Sequence, residues 1–424
     1  MALAAVGEAG AAPKYDLLLK GGHVIDPKNA VDGVRDVAVA NGKIAAVAAH
    51  IDPTQALKVV DARGLHVMPG LVDIHVHAYA GTAEPDSYAG GDNSVSPDGF
   101  TFRSGVTTVV DAGSSGWRNF EDFKRRIIDR SKTRVLAFIN IIGSGMRGGK
   151  FEQDLTDMVA QPTASMALSH KDIIVGVKTA HYDGPEWTPV ERAVAAGAAA
   201  NLPVMVDFGE YRPERPLAEL LTKKLRPGDI YTHVHSGLRK EQDESGRVNP
   251  GLWEARKRGV YLDVGHGGGS FFWRVAVPAV KEGLLPDSLS TDLHVSSMNS
   301  GMKDMTNVMS KYLALGLPLA DVVRRATWNP AREIKHEELG HLSVGAVADI
   351  AVLSLARGKF AFLDAHGARL AGTRKLTCEL TLRAGKVVYE LNGITRPDWD
   401  KLPRNYRETG DDRWDAVSPA EKPP

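Results

Sequence analysis

Two imidazoles set two residues apart are the first chemistry this chain offers: His75 and His77, in the run Asp73-Ile74-His75-Val76-His77. Strand side chains alternate with period two, so both rings point the same way and can share one metal ion. With 14 His in 424 residues, about half an H-x-H pair is expected by chance, so the spacing alone is weak. A second pair, His233 and His235, also closes an apolar run. Lys178 closes another, Ile174-Val175-Gly176-Val177. Burying an ammonium is expensive. The plain reading is a snorkelling or ion-paired lysine. The chemical reading is a desolvated amine of depressed pKa that reacts with CO2, giving a carbamate anion able to bridge two metals. Asp292 ends Ser290-Thr291-Asp292, where a carboxylate can bind metal and take a proton from metal-bound water.

These residues need rigid elements behind them. Eight apolar runs, at 71–76, 106–111, 135–142, 173–179, 203–208, 230–235, 260–264 and 289–292, read as strands. Amphipathic stretches such as 119–131, 189–200, 216–224 and 252–258 lie between them. Eight such alternations predict an α/β fold, a (β/α)8 TIM-type barrel, with chemistry at the C-terminal ends of its strands. Each candidate above ends a strand. Both chain ends are instead rich in short β runs, with Gly21-Gly22 and Asn41-Gly42 as hairpin signals. The expected domains are a composite β-sandwich from 15–68 plus 343–395 and a metal-binding barrel at 69–342. Tails at 1–14 (disordered) and 396–424 (extended) flank them.

Composition excludes several classes. Lys+Arg and Asp+Glu are both 52, so no global field draws the protein to nucleic acid or an anionic membrane. The single cysteine, Cys378, rules out an intrachain disulfide framework and a Cys-rich zinc knuckle. No apolar run reaches the length of a membrane span. The Ala/Gly-rich start lacks a basic region and a proper apolar core, a poor signal peptide. The expected location is cytoplasmic; the alternative is an exported chain whose signal peptide is missing.

The order Pro69-Gly70-Leu71-Val72-Asp73-Ile74-His75-Val76-His77, strand Lys178, Thr232-His233, Ser290-Thr291-Asp292, Asn329-Pro330-Ala331 and Gly345-Ala346-Val347-Ala348-Asp349-Ile350 resembles the amidohydrolase superfamily. The branch it looks most like is the deacetylase-type metallohydrolases related to dihydroorotases and hydantoinases. The resemblance implies one or two divalent metal ions, usually zinc. It implies that His75 and His77 hold the more buried ion and that Lys178 is the carbamate bridge. His233 is then the strand-six ligand, and Asp292 is both ligand and general base. Homo-oligomers are a habit of the family. One position departs from the pattern: strand five carries Asp207 where the family commonly has His. Asp207 can ligate the second metal; otherwise that site is weaker or empty. His266 can supply an imidazole, although its place on strand seven puts it near substrate. Tyr79, Met146, Arg147 and Ser296 are further substrate-binding candidates. The implied function is hydrolysis of C–N amide bonds, with acyl esters as a side activity, in a small molecule. Met146, Phe271, Phe272, Trp273 and Met298 tilt the expectation toward an apolar acyl pocket. The alternatives are cyclic-amide opening and a non-catalytic scaffold. The Pro-Cys-x-x-Cys signature of nucleic-acid base deaminases is absent.

Overall fold

The computed structural model describes residues 13–81, 91–402 and 404. The tails expected at 1–14 and 396–424 therefore lie largely outside the described residues. Five strands come first: β1 (Tyr15–Asp26), β2 (Val31–Ala40), β3 (Lys43–Ala48), β4 (Ala56–Asp61) and β5 (His66–Pro69). Seven follow: β6 (Leu71–Val76), β7 (Val106–Gly116), β8 (Arg134–Asn140), β9 (Ile174–Thr179), β10 (Val204–Val206), β11 (Ile230–Tyr231) and β12 (Tyr261–Leu262). The last three are β13 (Ile350–Leu363), β14 (Arg369–Arg383) and β15 (Lys386–Glu390).

Strands β6 to β12 form one parallel sheet in sequential order. β6, β7 and β9 are buried at every position, which is why they read as long apolar runs rather than alternating ones. The sheet curls. Residues 288–293 bridge its two edges, through Asp263 with Ser288 and Val76 with Leu293, both parallel. The strand expected at 289–292 is thus a bridging segment rather than a regular ladder, and it ends where Asp292 turns to φ 51°. Val72, Ile74, Val110, Leu136, Phe138, Val175, Met205 and Ile230 pack together as one apolar cluster, with contributions from six of the seven strands. Helices cover the outside. Thr188–Ala200 shows why: Pro189 starts it, Val190, Ala193, Ala196 and Gly197 form its buried face, and left-handed Asn201 ends it. Among the described residues, no helix is long and apolar enough to cross a membrane.

The strands of the two chain ends share one eight-stranded sheet, joined by β13 pairing antiparallel with β5. Asn41 (φ 51°) and Gly42 (φ 72°) make the expected hairpin turn between β2 and β3. Gly21-Gly22 does not turn the chain. It forms a bulge within β1, between the stretch that pairs with β4 and the stretch that pairs with β5. A Cβ at Gly22 would stand 2.6 Å from Val67 Cγ2, so the close approach of β5 requires glycine there.

Candidate active site

Strand ends deliver the histidines and carboxylates to one place. The pairing of β6 with β7 slips by one residue between Asp73 and Val76. That slip resets the strand's alternation just before its C-terminal end, where His75 and His77 stand. His77 Nε2 lies 3.1 Å, and His75 Nε2 3.6 Å, from Asp292 Oδ1. His75, His233 and Asp292 each offer a ligand atom, and these atoms all lie within 4.8 Å of one another. Lys178 is fully buried and donates to His75 Nε2 at 3.1 Å, with Met205 Sδ at 3.7 Å. Burial pushes its ammonium toward the neutral amine, against the attraction of Asp207 and Asp292.

Each imidazole is anchored at Nδ1. His75 Nδ1 meets Thr232 Oγ1 at 3.0 Å, and that hydroxyl donates to Asp263 at 2.7 Å. His77 Nδ1 meets Ser114 Oγ at 3.1 Å. His233 Nδ1 bonds the Gly265 carbonyl, and His181 Nδ1 bonds Glu152 at 2.6 Å. Fixing one ring nitrogen leaves Nε2 for a metal, the usual arrangement around a bound ion. Buried histidines, carboxylates and a neutral-leaning lysine are the donor set a divalent cation such as zinc takes, so these residues fit the implied metal. Burial first, then the Lys178 charge, pushes His75 down to about 3, which keeps the imidazole unprotonated and able to ligate. Burial opposes the charge on Asp292, but His75, His77 and His294 outweigh it and hold the carboxyl well below its usual range.

The strand-five departure is also in the cluster. Asp207 Oδ2 is 3.2 Å from both His181 Nε2 and His233 Nε2, while Oδ1 is paired with Arg239. Burial disfavours the charged form of His181, but Glu152 and Asp207 overcome this and raise its pKa well above the ordinary value. His181, His233 and Asp292 have φ of 57°, 64° and 51°. Left-handed backbone at non-glycine residues is strained and recurs where a structure must aim a side chain.

Several expected residues go elsewhere. His266 stands outside the lining of the cavity beside Asp292: it stacks on Phe271 at 4.4 Å and bonds Lys311. Tyr79 leaves the cluster; its hydroxyl donates to Asp122 at 2.8 Å and its ring packs on Phe123. His235 is not paired with His233. β11 stops at Tyr231, and the turn at His233 sends His235 among Phe271 and Tyr312. Met146 is buried against Ala180, and Arg147 lies over the Phe151 ring at 3.6 Å. Ser296 does line the cavity and donates to Asn93 at 2.8 Å.

That cavity, about 740 Å3, opens onto Asp292, His233, Asp207, His181 and Arg239. Most of the residues that line it carry polar side chains, among them Asp183, Glu210, Arg212 and Ser270, beside Leu238. Phe271 and Trp273 pack on one another instead, and Trp273 Nε1 donates to the Phe362 carbonyl, so they give the cavity no apolar wall. Thr232, Asp263, Glu152 and Arg239 were not singled out from sequence. Only the Thr-His pair carried a local signal for any of them.

The amidohydrolase family model matches residues 267–389. A deacetylase of Brucella anthropi is 34% identical over 348 residues, covering 79% of this chain and 83% of its own. A crystal structure of a dihydroorotase superposes with a TM-score of 0.75 at 31% identity, covering 88% of this chain and 99% of that one. A crystal structure of an adenine deaminase gives 0.79 at 27% identity, covering 89% and 100%.

Proposed function

From the premise that this chain belongs to the amidohydrolase superfamily, whose members here hydrolyse C–N bonds, we propose that it is a metal-dependent deacetylase of a small polar amide. The observation that carries the reading is the convergence of His75, His77, His233, Lys178 and Asp292 at the mouth of one curled sheet. For the architecture, the same premise supports a closed (β/α)8 barrel at 69–342. It also supports a composite β-sandwich from 15–68 and 343–395.

His75, His77, His233, Asp292 and a carbamate on Lys178 would hold the metal. When bound, a divalent ion supplies Lewis acidity toward a carbonyl and toward water. The lysine's part is to add its neutral Nζ to CO2: the N–C bond forms, one proton leaves, and the carbamate anion remains. Asp292, ionised at neutral pH, accepts the proton of the attacking water and returns it to the leaving nitrogen. The walls of the cavity orient a polar substrate through Arg212, Ser270 and Ser296. The donors among the lining residues, Arg212, Arg239, Ser270 and Ser296, favour one second reading, opening of a cyclic amide, whose flat ring needs hydrogen-bond donors around it.

The two readings separate on a substrate panel. Zinc- and bicarbonate-treated protein is assayed on N-acetyl amino acids, O-acetyl hydroxy acids, dihydroorotate and hydantoins. Acetate release at the higher kcat/KM is expected. Faster ring opening overturns the deacetylase reading, and no turnover of any member by metal-loaded protein removes both.

A further inference from the structure

The terminal sheet reaches the cavity through one hairpin. β13 pairs with β5 over residues 350–353, and β14 pairs with β15 over 380–383. Beyond Leu353 the two strands run on as a pair, out to Leu363 and Arg369. At about 3.4 Å per residue this arm extends roughly 30 Å past the strands that flank it. Its tip, residues 364–368, meets the segment 267–273 that follows β12. Gly268, Gly269 and Ser270 of that segment line the cavity beside Asp292.

Asp364 is buried and organises the contact. Its Oδ1 accepts from His366 N at 2.9 Å and Ala368 N at 2.8 Å, which closes the tip. Its Oδ2 accepts from Trp273 N at 3.2 Å. Ala365 N donates to the Phe271 carbonyl at 2.9 Å. His366 stacks on Phe272, ring centroids 4.0 Å apart, with Nε2 3.3 Å from the Gly269 carbonyl. The tip is also seated on Gly301, the residue after cavity-lining Ser300: a Cβ there would stand 2.0 Å from the Asp364 carbonyl oxygen. From inside, Lys311 Nζ ties the Gly301 carbonyl at 2.7 Å to His266 Nε2 at 2.5 Å. Three successive glycines have little conformational preference of their own, so neighbours of this kind set where the segment lies.

We propose that the tip of the β13–β14 hairpin determines substrate fit, by holding the 268–272 wall of the cavity in place through Asp364 and His366. Both are positioning residues, since they act through the wall and not on the reacting atoms. The inference rests on the reading of this cavity as the substrate site, and it extends that site to the terminal sheet. The competing account is that the arm serves to cover the apolar core, against which Leu355, Phe360 and Leu370 pack, including helix Met305–Ala314.

The test pairs amide hydrogen exchange with kinetics on zinc-loaded, full-length wild type, Asp364→Asn and His366→Ala. Asparagine keeps a carbonyl for the His366 and Ala368 N–H groups and removes the acceptor of Trp273 N. Exchange of 267–273 is expected to be about tenfold faster in Asp364→Asn, the worth of one hydrogen bond to a charged group. Exchange of 174–179 and of 305–314, and zinc content, should match wild type. On the best substrate of the panel KM is expected to rise about three- to tenfold with kcat within about twofold, as loss of uniform binding requires. His366→Ala should shift both readouts the same way by a smaller factor. Unchanged exchange at 267–273 in both variants overturns the inference. So does faster exchange with KM unaltered on every substrate, or loosening of 305–314 to the same degree, which is what a covering role predicts. If Asp364→Asn gives no cooperative melt, His366→Ala decides by the same criteria. A wild type that turns over nothing removes the hydrolase reading, while the exchange arm still decides by itself whether the tip holds the wall.

Discussion

Asp292 carries two demands at once, a position beside His77 and a charge at neutral pH. Its three histidine neighbours keep the carboxyl ionised despite burial. Asn preserves the shape of the side chain and removes the proton acceptor. Asp292→Asn is expected to lower kcat by about 10²- to 10⁴-fold, the usual worth of a positioned general base. Its melting temperature should stay near that of wild type. A kcat within tenfold of wild type, measured on zinc-loaded protein, would remove Asp292 as the base. Lys178 is a different case, because its role begins only after it reacts. Lys178→Ala is expected to lose bound zinc, while Lys178→Glu, which restores an anion, should recover part of it. Equal zinc content in Lys178→Ala and wild type would refute the carbamate.

Strand ends and the turns after them decide which side chains reach the site. Gly265 follows β12 with φ 44°, and a Cβ there would lie 2.4 Å from Thr232 Oγ1 and 2.7 Å from His233 Nδ1. Gly265→Ala must displace the Thr232 hydroxyl that anchors His75 and the His233 ring itself. It is expected to weaken zinc binding at least about tenfold by competition with a chromophoric chelator, and unchanged affinity would refute this positioning role. His235 shows the opposite outcome of a similar local sequence. Among the described residues neither ring nitrogen has a hydrogen-bond partner of good geometry, and burial pushes its pKa down to about 3. The unfolded chain binds the proton near 6.5, so stability is lost as pH falls from 6.5 toward 3. Between pH 7 and pH 5 this one group accounts for about 2 kcal/mol. His235→Leu is expected to reduce the acid-side loss by that amount in urea unfolding at the two pH values. An identical pH dependence in both proteins would show that His235 does not drive it.

The contrast between His233 and His235 also marks what the chain's letters can reveal. Apolar runs placed Leu71–Val76 and Ile174–Thr179 within a residue, because a strand buried on both faces leaves a continuous signal. His75, His77, Lys178 and Asp292 were legible because each closes such a run. The slip in β6, the two-residue length of β11 and the left-handed turns were not, since backbone conformation at a strand end depends on its neighbours in space. Asp263 and Glu152 support histidines 188 and 29 positions away in the chain, a link that no local pattern records. The placing of His266 was illegible for a related reason: strand seven ends at Leu262, and the chain beyond it turns the imidazole toward Lys311.

At the scale of the whole molecule, the terminal sheet and the curled sheet share an apolar core. Ala351 and Leu353 of β13, and Leu376 and Cys378 of β14, pack in one cluster with Leu71, Val106 and Val109. Thr381 Oγ1 donates to the Phe102 carbonyl at 2.7 Å, and Cys378 Sγ contacts both that carbonyl and Thr381. Detaching the C-terminal strands would expose this face and leave β5 without its β13 partner. The two sheets should therefore unfold as one cooperative unit. Cys378 is a natural reporter of this, being the single thiol and sitting at the junction. Burial raises its pKa to about 12, so the thiolate is scarce at pH 8 even before access is considered. In native protein, a disulfide reagent is expected to modify Cys378 negligibly over an hour. Its labelling should then rise at the same guanidinium midpoint at which tryptophan fluorescence and activity are lost. Labelling complete at a lower midpoint, with activity still present, would mean that the terminal sheet opens on its own and that the shared core does not couple it to the site.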